Sequence, residues 1–151
     1  MANLIAFMAF LAFIDSLLSW IGEMIDAPEV SFKFLLSKLL LPVALMLGID
    51  WDDAEKVASL VGIKMVVNEF VAYQNLSEFI HNGIIQERSA TIATFALCSF
   101  ANFASIGIQV GGLSAMAPNR KSDLAQLAFR AMITGTVSSF LTACVAGMLY
   151  E

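Results

Sequence analysis

From Ser89 to Asn119 the chain carries no charged residue, a run of 31 residues. One helix needs about 20 apolar residues to cross a bilayer, so this run is longer than a single crossing requires. Its middle reads CSFANFASIGIQVGGLSAMAP, where Ser99, Asn102, Ser105, Gly107, Gln109, Gly111 and Gly112 interleave with aromatics. Such a mixture predicts a helix broken at membrane depth, whose freed backbone groups meet a ligand or another helix. Close packing of small-residue helices is the alternative. The remainder of the chain points to the same solvent. It is 59% hydrophobic and only 14% charged, against about 45–50% and 25% in soluble domains. A globule of this size cannot hide that much apolar surface, which argues against a soluble enzyme. With a net charge of -5 and no basic face, nucleic acid is not an expected partner.

The other segments divide around charged connectors. Leu4 to Ile21 is long enough to span, and Asp15 within it must face protein or water. An acidic connector with Glu23, Asp26, Pro28 and Glu29 follows. Residues 32–49 carry Lys33 and Lys38 near their start and Pro42 in the middle, which predicts an interfacial or kinked helix. Asp50, Asp52, Asp53 and Glu55 mark a solvated connector, and Asp50 can serve as a helix N-cap. The stretch from Ser59 to Tyr73 holds Lys64, Asn68 and Glu69 among Val, Met and Phe, and is too short for two spans. A re-entrant hairpin, buried in protein or lining a cavity, fits it better. Arg120, Lys121, Asp123 and Arg130 form a basic connector before the clean span of residues 131–150. The positive-inside rule places that connector in the cytoplasm, and residues 74–87 and the C-terminus outside.

Familiar catalytic patterns do not occur: there is no GxxxxGK[ST], HExxH or GxSxG. His81 sits in a polar connector and is expected to be solvated. Cys98 and Cys144, both in apolar runs, are expected to be small buried hydrophobes. The distinctive chemistry is a pair of polar motifs inside apolar sequence: Asn68-Glu69 in NEFVAY, and Asn102 and Ser105 in FANFAS. A carboxylate in hydrocarbon is costly and by default functional, unless Glu69 merely pairs with Lys64. Carboxylate, amide and hydroxyl together suit a neutral polyol such as ribose, with Phe100 or Phe103 as an apolar wall; they also suit a cation.

At these motifs the chain resembles the C-terminal part of the concentrative nucleoside transporter family. The likeness runs from ANLIAFMAFLAFIDSLLSWIG through GIKMVVNEFVAY and ALCSFANFASIGIQVGGLSAMAPNRKSDLAQLAFRA to TACVAGMLY, and its wording is closer to animal than to bacterial members. The resemblance implies an all-α polytopic membrane protein, one half of an inverted-repeat transporter, with transmembrane helices, a re-entrant hairpin and a broken helix. The implied organisation is a partial scaffold helix (1–22), a connector with an interfacial or kinked helix (23–50), a hairpin (51–86), a broken helix (87–119), and a cytoplasmic connector with the last span (120–151). It further implies a sodium- or proton-coupled symporter in the plasma membrane, homotrimeric when full length and not an enzyme. Glu69, Asn102 and Ser105 would hydrogen-bond the ribose, with Asn68 beside them and Phe100 packing beside the nucleoside.

Two substitutions depart from the family pattern. Ser99 stands where glycine is usual, and Ala104 where serine is frequent. The first-hairpin Gly-Gln-Thr-Glu motif, which by resemblance holds the nucleobase near the coupling-cation site, does not occur in these 151 residues. The expectation is therefore a C-terminal fragment bearing the ribose half of a pocket, with no cofactor and with the coupling ion bound elsewhere. A truncated subunit that co-assembles with full-length protomers and regulates them is the alternative. A pore lined by residues 89–119 and an integral-membrane enzyme follow more distantly.

Overall fold

The computed structural model describes residues 2–24 and 32–150, and among these every regular element is helical. Asp26, Pro28 and Glu29 of the acidic connector lie outside the described residues, as does the side chain of Asp15. The elements are α1 (Ala2–Met24), α2 (Phe32–Met46), α3 (Trp51–Val66), α4 (Glu69–His81), α5 (Glu87–Leu97), α6 (Phe103–Met116), a 3-10 turn (Pro118–Arg120) and α7 (Lys121–Leu149).

Sequence chemistry explains where the chain turns. Gly48 after α2 and Gly83 after α4 adopt φ of 84° and 64°, a left-handed conformation that side-chain-bearing residues rarely take. Between them α3 and α4 form a hairpin whose two ends meet. The Lys56 ammonium, in an early turn of α3, donates to the Ile84 carbonyl beyond α4 at 2.7 Å. Asp53 Oδ2 accepts from the Gln86 backbone N–H at 3.1 Å. Helix α5 departs from that same end. Helix α7 returns to it, since Arg88 donates to the carbonyls of Gly48 and Gly147 at 2.6 and 3.3 Å.

The core is built where these helices meet. Ala54, Val57, Ala58, Leu60 and Val61 of α3 pack with Ala72 and Leu76 of α4, Ile92, Ala93, Ala96 and Leu97 of α5, and Ala143 of α7. Small residues let backbones approach closely. A Cβ built on Gly147 would lie 2.8 Å from Ile92 Cδ1, and one on Gly62 3.0 Å from Leu36 Cβ. Helix α6 buries no residue, and α7 keeps Leu127, Phe129, Leu141 and Met148 exposed. Residues 118–149 form one continuous stretch long and apolar enough to cross a membrane.

Helix α2 continues through Pro42, which the reading of an interfacial or kinked helix allows. The proline ring is exposed, while Ala44 and Ser37 on either side are buried, so packing holds the helix across its one missing hydrogen bond. Helix α7 starts at Lys121, well ahead of Ala131, so most of the basic connector is helical. Its 29 residues extend about 44 Å, beyond the roughly 30 Å of hydrocarbon, which leaves its charged first turns free to stand in the interface. Asp50 occupies the N-cap position of α3 but its side chain makes no capping bond. His81 is exposed in the last turn of α4. Cys98 is exposed and Cys144 half-buried, both as free thiols, rather than fully buried as expected. Cys98 follows the last residue of α5, where the chain leaves the packed layer.

Candidate functional site

Two helix breaks lie side by side. The first falls at Val67 and Asn68, between α3 and α4. Asn68 is extended (φ -174°, ψ 170°), and its Oδ1 accepts from Val71 N at 3.0 Å. The second spans residues 98–102, between α5 and α6. There Asn102 is extended (φ -142°, ψ 164°), and its Oδ1 accepts from Ser105 N at 2.8 Å. In both, an asparagine amide satisfies one of the N–H groups a helix start leaves orphaned.

A side-chain bond joins the breaks. Asn102 Nδ2 donates to Glu69 Oε2 at 2.9 Å. Asn102 is 2% and Glu69 7% exposed, so the bond lies out of water. Glu69 is the first residue of α4, where the positive end of the helix dipole favours a carboxylate. The aromatic rings follow: Phe70 and Phe100 meet edge to face, with centroids 6.5 Å apart. Both rings remain largely exposed.

Lys64 is placed differently from the alternative the sequence left open. Its ammonium donates to the Ala96 carbonyl at 2.9 Å and to Ser99 Oγ at 2.7 Å. No ion pair between Lys64 and Glu69 forms among the described residues. A cleft of about 240 Å³ opens between the second break and α7, lined in part by Ser99, Phe100, Asn102, Ser105, Gln109 and Met132. Glu69 reaches Asn102 from α4, outside that lining.

The structure thus gathers Glu69, Asn102, Ser105 and Phe100 at one locus. Asn68 stands at the neighbouring break, where its Oδ1 accepts from Val71 N. Sequence reasoning did not assign Lys64 to the second break, nor Phe70 to the wall. For Lys64 a signal existed, a lone cation in the apolar stretch SLVGIKMVV; its partners lie more than thirty positions away and carry no local sign.

Comparison with known proteins follows the same boundaries. The family model described as Na+ dependent nucleoside transporter C-terminus matches residues 1–147. The chain belongs to this family. It is 53% identical over 162 residues to solute carrier family 28 member 3 of Eptatretus stoutii, covering 99% of this chain. It is 48% identical to sodium/nucleoside cotransporter 1 of Mus musculus, again over 99% of this chain. The chain spans 24% and 25% of the length of these two relatives. Among solved structures, CNTnw in an inward-facing substrate-bound state matches with a TM-score of 0.88 and 36% identity, covering 97% of this chain and 36% of that one. A variant of CNTnw in an outward-facing state matches with a TM-score of 0.87 and 35% identity, over 97% of this chain and 36% of that one. The concentrative nucleoside transporter family is one of integral membrane transporters, not enzymes, and this chain is its all-helical C-terminal part.

Proposed function

We propose that the chain is the C-terminal part of a cation-coupled nucleoside symporter, driven by sodium or protons, and supplies the ribose-binding half of its site. The observation that carries this reading is the Asn102–Glu69 bond, which unites the two helix breaks. Glu69 Oε2 is engaged by Asn102, while no described residue donates to Oε1. Asn102 keeps a second amide hydrogen, and Ser105 offers a hydroxyl that both donates and accepts. A ribose cis-diol donates one hydroxyl to Oε1 and takes hydrogen bonds from the amide and Ser105. Phe100 covers the apolar side of the ligand.

In this proposal α1 belongs to the scaffold, α3 and α4 form a re-entrant hairpin, and α5 and α6 a broken span. The turn before α7, with Arg120 and Lys121, is cytoplasmic. The end that gathers residues 48–56, 82–88 and 147–150 faces outside the plasma membrane, with the C-terminus. The complete protein is homotrimeric, and its coupling ion binds beyond these residues.

The test has two parts. Source membranes are blotted with an antibody against residues 119–130; a band well above 16.3 kDa supports the transporter, whereas one band at that mass favours a co-assembling regulatory subunit. Nucleoside uptake is then measured for Glu69→Gln in the native polypeptide. The amide keeps an oxygen for Asn102 but loses the charge, so uptake is expected to fall severely. Unchanged uptake kinetics would refute the ribose site.

A further inference from the structure

Lys64 and Ser99 form a contact that the ribose reading leaves unused. Lys64 is fully buried, at 0% exposure, and a charge in such a place needs acceptors. It has two: the Ala96 carbonyl in the last turn of α5 and Ser99 Oγ. The carbonyl end of a helix favours a cation. Lys64 is therefore held as an ammonium.

That fixes the role of the serine. An ammonium has three donors and no acceptor, so Ser99 Oγ can only accept from it. The hydroxyl proton of Ser99 must go elsewhere, and among the described residues nothing accepts it. Ser99 is half-buried and lines the cleft together with Asn102 and Ser105. An oxygen that already accepts from a cation is also polarised into a stronger donor.

We propose that Ser99 is a specificity-determining residue: with its oxygen held by Lys64, it donates its proton to a sugar hydroxyl oxygen of the ligand in this cleft. The inference rests on the ribose reading of the site. It adds to that site a donor fixed in direction, beside an amide and a hydroxyl that can each adapt. A nucleoside lacking the matched sugar oxygen then loses a contact that no neighbour replaces.

The test measures KM for uridine and adenosine and for their 2′-, 3′- and 5′-deoxy analogues, in the native polypeptide and its Ser99→Ala, Ser99→Thr and Glu69→Gln variants. One neutral hydrogen bond corresponds to roughly a three- to tenfold change in affinity. Ser99→Ala is expected to shrink the KM gap between parent and one deoxy analogue by about that factor, leaving the other two gaps as they were. Ser99→Thr, which keeps the hydroxyl, is expected to restore the gap. Gaps all unchanged in Ser99→Ala, or KM raised alike for every ligand, would overturn the proposal, since a serine that only steadies Lys64 does not distinguish sugars. If Ser99→Ala carries no flux, the same comparison is read from ligand-induced thermal shifts of the purified variant. Glu69→Gln separates the two ideas. Full uptake in that variant fails the ribose site itself, whereas lost uptake beside unchanged Ser99→Ala gaps fails Ser99 alone.

Discussion

Asn102 performs two tasks with one amide, and a graded substitution series separates them. Its oxygen caps α6 through Ser105 N, and its nitrogen donates to Glu69. Loss of an asparagine cap costs about 1 kcal/mol. Loss of a hydrogen bond to a charged group costs about 1.5–3 kcal/mol. Both partners are nearly inaccessible, at 2% and 7% exposure, so water cannot step in and the second figure needs no discount. Asn102→Ala loses both contributions and should destabilise by about 2.5–4 kcal/mol. Asn102→Ser keeps a capping oxygen but cannot reach Glu69, so it should cost about 1.5–3 kcal/mol. Asn102→Asp is the decisive variant. It retains the cap and adds negative charge at a helix start, a local gain of about 0.5 kcal/mol. It also sets a second acceptor against Glu69, which removes the bond and adds repulsion. Before repulsion it should cost about 1–2.5 kcal/mol, and the repulsion between two buried carboxylates raises that toward the Asn102→Ala value. The assay is equilibrium unfolding of the purified native polypeptide in detergent at neutral pH. Wild-type stability in Asn102→Asp would show that the bond to Glu69 does not hold the two breaks together. Equal stabilities of the Ala and Ser variants would show that the cap contributes nothing.

Two further perturbations follow from the packing. Gly62→Ala places its methyl 3.0 Å from Leu36 Cβ, an atom fixed to the backbone, and should cost about 1–3 kcal/mol. In Gly147→Ala the new methyl meets Ile92 Cδ1 at 2.8 Å and Cγ1 at 3.0 Å on a buried side chain, an overpacking of about 1–3 kcal/mol that the helix gain of about 0.5–1 kcal/mol on replacing glycine offsets in part, so the same unfolding assay should find a smaller net loss. Asp53→Ala removes the acceptor for Gln86 N and Lys56. The Lys56 side chain is 31% exposed and rehydrates in part, so the expected loss is about 2–3 kcal/mol, at or below the low end for a broken buried pair. Amide hydrogen exchange should quicken at the start of α5, and unaltered protection there would refute the tie.

Much of this architecture is legible in the sequence because helix breaks within apolar sequence leave compositional marks. The uncharged run from Ser89 to Asn119 is longer than one span requires and interleaves small and polar residues with aromatics, and the chain separates α5 from α6 within it. Asn68 and Asn102 are legible as polar residues in apolar surroundings, and their capping bonds are local, three residues along the chain. What the sequence does not disclose is long-range. Lys64 has Glu69 close by in sequence, which suggests a local ion pair, yet its acceptors are Ala96 and Ser99. Pro42 carries a strong local preference that tertiary packing of α2 against α3 overrides. The charged start of α7 reads as a connector because apolar patterning stops there, although Ala, Leu, Gln, Lys and Arg are good helix formers.

The arrangement of charge at the two breaks also bears on what kind of ligand suits the site. Breaking two helices side by side creates two positive ends, at the starts of α4 and α6, and two negative ends, at the close of α3 and α5. Glu69 and Asn102 stand at the positive ends, where Glu69 is the first residue of α4 and Asn102 caps α6. Lys64, in the last turn of α3, turns its ammonium to the last turn of α5. Each formal charge thus meets a helix dipole of opposite sign, and one buried carboxylate and one buried ammonium stand at the breaks. With one carboxylate and one ammonium, the two breaks carry no formal net charge. Among the described residues nothing donates to Glu69 Oε1, and nothing accepts the hydroxyl proton of Ser99. A neutral molecule with several hydroxyl groups meets both needs without adding charge to a desolvated site, where an added ion would cost far more than a sugar. On the proposed function, this charge arrangement supports a polyol ligand over a cation.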